Sequence, residues 1–265
     1  MKYIKSVQNP IVKSLAALKS AQGRKEQQAF LAEGENMVQE ALGENKARML
    51  LIEESKIGQF NKYIEFASSH EGSNTNPLSP AFEVLAFSKE AFKKFSNAKT
   101  PQGIACVCSI PSAVSFKALG NKLILLNGVQ DSGNVGTIWR TAEAAGFTGI
   151  IADEKSADFF SPKTISASKG VCFRLPAKRI PDLHAALNKC SDFLSIAANL
   201  DGVPVNKAQL PKDNIMLIIG SEGRGIDEEI LNIAKAKVRI PMHGKVESLN
   251  AAVAAAIMMY SIAGF

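Results

Sequence analysis

Three glycine-punctuated stretches in the second half of the chain carry the side chains best suited to chemistry. The first, Gly128-Val129-Gln130-Asp131-Ser132-Gly133-Asn134-Val135-Gly136-Thr137-Ile138-Trp139-Arg140-Thr141-Ala142, sets an amide at Asn134 and a guanidinium at Arg140, six positions apart. The second, Gly220-Ser221-Glu222-Gly223-Arg224-Gly225, offers the carboxylate of Glu222. The third, Arg239-Ile240-Pro241-Met242-His243-Gly244-Lys245-Val246-Glu247-Ser248-Leu249-Asn250, adds a hydroxyl and a second amide at Ser248 and Asn250. Each group also has an ordinary structural use. A lone arginine on a helix is usually solvated, Asp131 and Glu222 are common turn acids, and Ser248 is a good helix N-cap. His243 titrates in a useful range but is given no role. Cys106, Cys108, Cys172 and Cys190 lack zinc-ribbon spacing and fall in apolar or helical segments, so neither a metal site nor a disulfide framework is expected.

These stretches sit where strands give way to helices. Residues 122–127, 149–152, 193–198, 215–219 and 238–240 read as apolar, mostly buried strands. Helices are expected over 134–145, 162–169, 182–189 and 227–234. The alternation specifies an α/β parallel sheet with helices on both faces, in which ligands bind beyond the carboxyl ends of strands. All three stretches fall at such ends. Pro241 and Gly244 force a sharp turn, after which Ser248 opens a helix with Leu249, Val253, Ile257 and Tyr260 on one apolar face. A dinucleotide-dependent oxidoreductase is disfavoured, because 128–136 lacks the Gly-x-Gly-x-x-Gly spacing, and no Walker-type Gly-Lys-Ser/Thr occurs.

Taken together and in this order, the three stretches resemble the signature motifs of the TrmH (SpoU) family of RNA ribose 2'-O-methyltransferases, part of the SPOUT class. The resemblance implies a C-terminal parallel-sheet domain with a deep trefoil knot that holds S-adenosyl-L-methionine. It implies backbone contacts from Gly220, Ile240 and Leu249 to the adenosine part of that donor, with Ala198, Asn199 and Leu200 bordering the same pocket. Asn134, Arg140, Glu222, Ser248 and Asn250 become the catalytic set, and no metal is called for. Arg140 is often described in the family as the general base. A guanidinium keeps its proton to about pH 12 or beyond, so a phosphate clamp that lowers the pKa of the hydroxyl is the preferred role. The chain departs from the family pattern at Ser132, where proline is usual, and at Ala251-Ala252, where Val-Ser is frequent. Neither change removes a catalytic group. The family is generally homodimeric, and the last helix, apolar almost all round from Leu249 to Met259, suits burial against a partner.

The first hundred residues read as a small α/β domain. Asn9-Pro10 is an N-cap with proline at the first helical position, followed by the apolar face of Ile11, Val12, Leu15 and Leu18. Segments near Asn9-Pro10, residues 30–34 and residues 100–104 resemble the L30e-like domain that precedes the catalytic domain in many of these enzymes and is taken to hold RNA. The expected organisation is residues 1–110 for RNA binding, 111–120 as linker and 121–265 as the methyltransferase domain, with residues 70–80 a flexible insertion.

The net charge of +6 favours an anionic partner. Lys2, Lys5, Lys13, Lys19, Arg24 and Lys25 form an acid-free opening suited to phosphates. Lys163 and Lys169 are weaker candidates for RNA contact. No secretory pattern or membrane-length apolar run is seen, so a cytoplasmic protein is expected. The reading is an S-adenosylmethionine-dependent 2'-O-methyltransferase acting on rRNA or tRNA, rRNA being favoured. A catalytically inactive RNA-binding assembly factor is the alternative, and retention of Asn134, Arg140, Glu222, Ser248 and Asn250 argues against it.

Overall fold

A computed structural model describes residues 1–69, 82–112 and 114–264 of the chain. The insertion expected at 70–80 lies outside the described residues. Two compact units form, Met1–Pro111 with Phe160–Phe173, and Ser112–Phe159 with Arg174–Phe265.

The first unit runs β1 (Lys2–Ile4), α1 (Pro10–Ala17), α2 (Ala21–Gln27), β2 (Ala29–Glu33), α3 (Glu35–Gly43), β3 (Ala47–Glu53), α4 (Asn61–Ser69), β4 (Glu83–Phe87), α5 (Lys89–Phe95) and β5 (Ile104–Ser109). The sheet order is β1-β4-β3-β5-β2, with β1, β4 and β3 mutually parallel and β5 antiparallel to both neighbours. The Asn9 side chain accepts from Ile11 N at 2.9 Å, so α1 starts where its sequence signal places it. Val12, Leu15 and Leu18 then pack with Phe87, Phe92 and Phe95 in one core. Arg24 departs from expectation. It is only 4% exposed, and its Nη1 donates to the Leu18 and Lys19 carbonyls at 3.0 Å. This guanidinium closes the end of α1 instead of facing a phosphate, whereas the five lysines of the opening stretch are exposed.

The second unit begins with β6 (Lys122–Asn127), α6 (Ser132–Ala144) and β7 (Gly149–Ala152). After α7 (Pro162–Ser168), it resumes with β8 (Ala177–Arg179), α8 (Leu183–Lys189), β9 (Leu194–Pro204), β10 (Ile215–Gly220), α9 (Glu228–Ile233), β11 (Ala236–Arg239) and α10 (Ala251–Ala263). The α7 segment packs with the first unit, where Phe30 lies 5.1 Å from Phe160 and 6.0 Å from Phe173 between ring centroids. The expected linker is held from Ser112 onward by the second unit: Leu119 is fully buried, and Val114 and Phe116 pack against the same core.

This second sheet is wholly parallel, in the order β11-β9-β10-β6-β7-β8. Register decides what happens at its carboxyl edge. Gly220 is paired with Asn127, so the first two signature loops leave adjacent strands at the same level. β11 pairs with β9 at Ala197 and then at Val203, leaving 198–202 as an excursion from the ladder. A Cβ at Gly202 would fall 2.5 Å from Val238 N, so only glycine permits that crossing. From the β11 edge the chain doubles back to α10, which packs on α6 and β10. The expected knot depends on this return path.

Candidate active site

The carboxylate of Glu222 gathers all three signature stretches. Its Oε1 accepts from Asn134 Nδ2 at 2.9 Å and from Ala251 N at 3.2 Å. It accepts from Asn250 Nδ2 as well, and that amide also donates to Asn134 Oδ1 at 3.2 Å. A negative charge at the first turn of α10 is favoured by the unpaired N–H groups there. Asp131 fixes the other side, capping α6 by accepting from Asn134 N at 2.9 Å. Asn134, Glu222 and Asn250 thus form one hydrogen-bonded cluster drawn from residues far apart in sequence.

Ser248 does not cap the helix. Asn250 is the N-cap, with Oδ1 accepting from Ala252 N at 3.0 Å and Val253 N at 3.3 Å. Both residue types cap well, and the turn leaves Ser248 two positions too early. The apolar stripe also differs. Ala251, Ala252, Ala255, Met258, Met259 and Ile262 are buried, while Val253, Ile257 and Tyr260 are 48%, 39% and 38% exposed. A helix without a polar face gives its periodicity no way to choose between sides.

A cavity of about 550 Å³ opens beside the cluster. Gly220, Ile240, Leu249, Ala198, Asn199 and Leu200 all line it, as do Glu222 and Ser248. The 198–200 residues reach it because they lie on the β9 excursion. Gly220 has a tighter constraint than closeness to a ligand: a Cβ there would sit 2.2 Å from the Gly225 carbonyl carbon. The Ser221 and Gly225 backbones pair at 3.0 and 2.9 Å across this turn. Arg140 is exposed on α6 and lines neither this cavity nor its smaller neighbour. Six positions along a helix carry it about 9 Å beyond Asn134 and about 120° round the axis.

A polar network, buried at Asn127, Asp153 and Ser156 and exposed at Asp227 and Lys155, holds the strand ends in place; it was not singled out from the sequence. Asn127 Nδ2 donates to Asp153 Oδ2 at 3.0 Å and Asp227 Oδ2 at 3.1 Å, and its Oδ1 accepts from Asp227 N at 2.7 Å. Asp153, 5% exposed, also accepts from Gly128 N at 2.9 Å and from Ser156 N at 2.8 Å. Lys155 pairs with Asp227 at 2.8 Å. That lysine, together with the Asn127 amide, holds the Asp227 carboxyl below its ordinary range. Buried charge persists when hydrogen-bonded on every side. The signal in the sequence was a polar residue directly after each of two apolar runs, Asn127 ending one and Asp153 following the other.

Similarity to known proteins agrees with this geometry. Residues 121–260 match the SpoU rRNA Methylase family, and residues 9–106 match the MRM3-like substrate binding domain. The chain is 32% identical, over the full length of both proteins, to the 23S rRNA (guanosine(2553)-2'-O)-methyltransferase RlmP of Bacillus subtilis. A solved structure of a TrmH-family protein described as a putative RNA methyltransferase, from Porphyromonas gingivalis, superposes with a TM-score of 0.80 at 32% identity, covering 95% of this chain and 96% of that one. The AdoMet-bound rRNA methyltransferase of Sinorhizobium meliloti superposes with a TM-score of 0.84 at 27% identity, covering 98% and 97%. The motifs, the sheet and these matches agree: the chain belongs to the SpoU rRNA methylase family.

Proposed function

We infer that this protein transfers a methyl group from S-adenosyl-L-methionine to a ribose 2'-hydroxyl of ribosomal RNA. The observation that carries the inference is that Glu222, the acceptor joining Asn134 and Asn250, lines the same cavity as all six expected donor-binding residues. About 550 Å³ lies within the range of small-molecule sites. Ile219, Ile226, Leu231 and Met258 give it apolar walls for a nucleobase, and Asp201 and Glu247 give it acceptors. When bound, the donor would supply an electrophilic methyl on a sulfonium for displacement by the 2'-oxygen, with the C–S electron pair going to sulfur and the hydroxyl proton to solvent water.

The protein's own part is placement. Glu222, which lines the cavity, locks the Asn134 and Asn250 amides behind it as fixed dipoles, and Ser248 adds a hydroxyl to the lining. Orientation of this kind accounts for a large share of the rate in an aligned displacement. Arg140 acts as a phosphate clamp, since its planar fork of N–H donors matches the oxygens of a phosphate. Its distance from the cluster along α6 fits a homodimer in which one protomer's Arg140 serves the other's site. The exposed Val253, Ile257 and Tyr260 supply the apolar face for that assembly. Residues 1–110 select the RNA, their exposed lysines neutralising phosphates. No helix among the described residues is long and apolar enough to cross a membrane, and an enzyme of ribosomal RNA belongs in the cytoplasm.

The test is methylation of rRNA taken from cells lacking the protein, with ribose methyls located by mass spectrometry. One new 2'-O-methyl that depends on the donor supports the reading. Donor binding with no methyl transferred to any rRNA returns the alternative of an inactive binding factor.

A further inference from the structure

The larger cavity has a smaller neighbour of about 330 Å³ on the other side of the 221–224 loop. Ser221, Glu222, Gly223, Arg224 and Ala251 line both, so they form a common wall. The remaining lining of the smaller cavity is Val129, Gln130, Asp131 and Asn134. None of the six donor-binding residues lines it. Its walls therefore present two amides, two carboxylates and a guanidinium, groups that suit the hydroxyls and base edge of a nucleotide better than a sulfonium's hydrocarbon arms. Reacting atoms must approach to about 3–3.5 Å, so an acceptor has to reach the common wall from the side the donor does not fill.

Arg224 is the cation of that wall. Its backbone is fixed, since Arg224 N donates to Ser221 Oγ at 3.2 Å and the Ser221–Gly225 backbone pair closes the turn around it. No hydrogen bond or ion pair holds the guanidinium among the described residues; its nearby carboxylate, Asp227, acts on it only through space and is already paired with Lys155. Glu222 is taken up by Asn134, Asn250 and Ala251 N. A guanidinium on a fixed turn with no hydrogen-bonded partner is suited to an arriving phosphate, which it grips in a bidentate fork. The larger cavity has a second guanidinium, Arg239, so a donor carboxylate does not require Arg224.

We propose that the smaller cavity seats the acceptor nucleotide of the RNA and that Arg224 binds the phosphate beside its ribose, a role separate from that of Arg140. The proposal rests on the methyl-transfer reading above and deepens it by assigning the acceptor side of the same site.

Full-length wild type, Arg224→Ala, Arg224→Lys and Gln130→Trp test it on rRNA from cells lacking the protein. Donor affinity is read by calorimetry and RNA affinity by filter binding across a salt series. Arg224→Ala should raise the KM for RNA at least tenfold and reduce the slope of log K against log salt by about one. Its donor affinity should stay within about threefold of wild type. Arg224→Lys should recover the slope but only part of the KM, because lysine keeps the charge and loses the fork. Gln130→Trp should fill the cavity and block methylation while the donor still binds. A tenfold loss of donor affinity in Arg224→Ala with an unchanged salt slope overturns the proposal and assigns the guanidinium to the donor's carboxylate. Arg224→Ala and Gln130→Trp both matching wild type overturn it too. Wild type inactive on rRNA would instead sink the functional reading beneath it, so the two failures are told apart.

Discussion

Removing one carboxylate should disconnect the three signature stretches. In Glu222→Ala the side-chain amides of Asn134 and Asn250 and the Ala251 N–H all lose the Oε1 acceptor. Hydrogen bonds to a charged group contribute about 1.5–3 kcal/mol when desolvated. Glu222 and Asn250 are exposed, so water replaces much of what is lost and about 0.5 kcal/mol per bond is the fairer figure. A carboxylate at a helix N-terminus adds about 0.3–1 kcal/mol. The total is about 2 kcal/mol, which lowers the melting temperature of a chain this size by about 4–8 °C. Catalysis should suffer more than stability. With both amides released, a misplacement of about 1 Å costs about a hundredfold in rate, equal to about 2.7 kcal/mol of barrier. Single-turnover methylation at saturating donor and RNA measures that rate, and differential scanning fluorimetry measures the stability. Glu222→Gln, which keeps one acceptor oxygen without the charge, should fall between. A folded Glu222→Ala enzyme with a rate within threefold of wild type would refute the idea that this cluster orients the reaction.

Asn250→Ala should cost about 1 kcal/mol of stability through the lost N-cap, whereas Ser248→Ala should leave the melting temperature nearly unchanged and act only on the rate; equal melting shifts would return the cap to Ser248. Gly220→Ala should destabilise its own turn before any ligand enters, because the added Cβ meets the Gly225 backbone at 2.2 Å; wild-type stability measured by chemical denaturation would contradict that. Ile257→Glu should give folded monomers with little activity in sedimentation and methylation assays, since Ile257 is 39% exposed, while a charge at the fully buried Ala255 would only break the protomer. Asp227, whose carboxyl is held low by Lys155 and Asn127, stabilises the folded state above the unfolded aspartate pKa of about 3.9. That contribution is lost as pH falls through the lower folded pKa. The melting gap between wild type and Asp227→Asn should therefore be constant near neutral pH and close below about pH 4; a gap that widens with acid would invert the assignment.

The sheet edge was legible because short apolar runs bounded by polar or turn residues announce buried strands, and β6 and β7 begin and end where such runs do, at 122–127 and 149–152. Strands β1 and β8 escaped notice. Lys2-Tyr3-Ile4 and Ala177-Lys178-Arg179 are too short and too polar to signal themselves, and exist as strands only through pairing with β4 and β7. The departure of the α7 segment to the first unit was equally hidden, because Phe160 and Phe173 meet Phe30 from more than a hundred residues away. It also means that deleting residues 1–110 would strip these rings of their partner and leave them exposed. At the site, the motif residues could be named from types and order alone. Their bonding could not, since the role of Glu222 as a shared acceptor arises from the matched register of β6 and β10. Arg24 shows the converse: one charge among six in a basic run was recruited to close a helix, and only packing reveals which.

The central claim is that this chain methylates a ribose, and the direct measurement is transfer from labelled S-adenosylmethionine to purified rRNA of cells lacking the protein. Wild type should place one alkali-stable 2'-O-methyl per rRNA molecule, and Glu222→Ala should place it about a hundredfold more slowly. Label appearing on a base instead of a ribose, or none transferred by a protein that binds the donor, would contradict the claim.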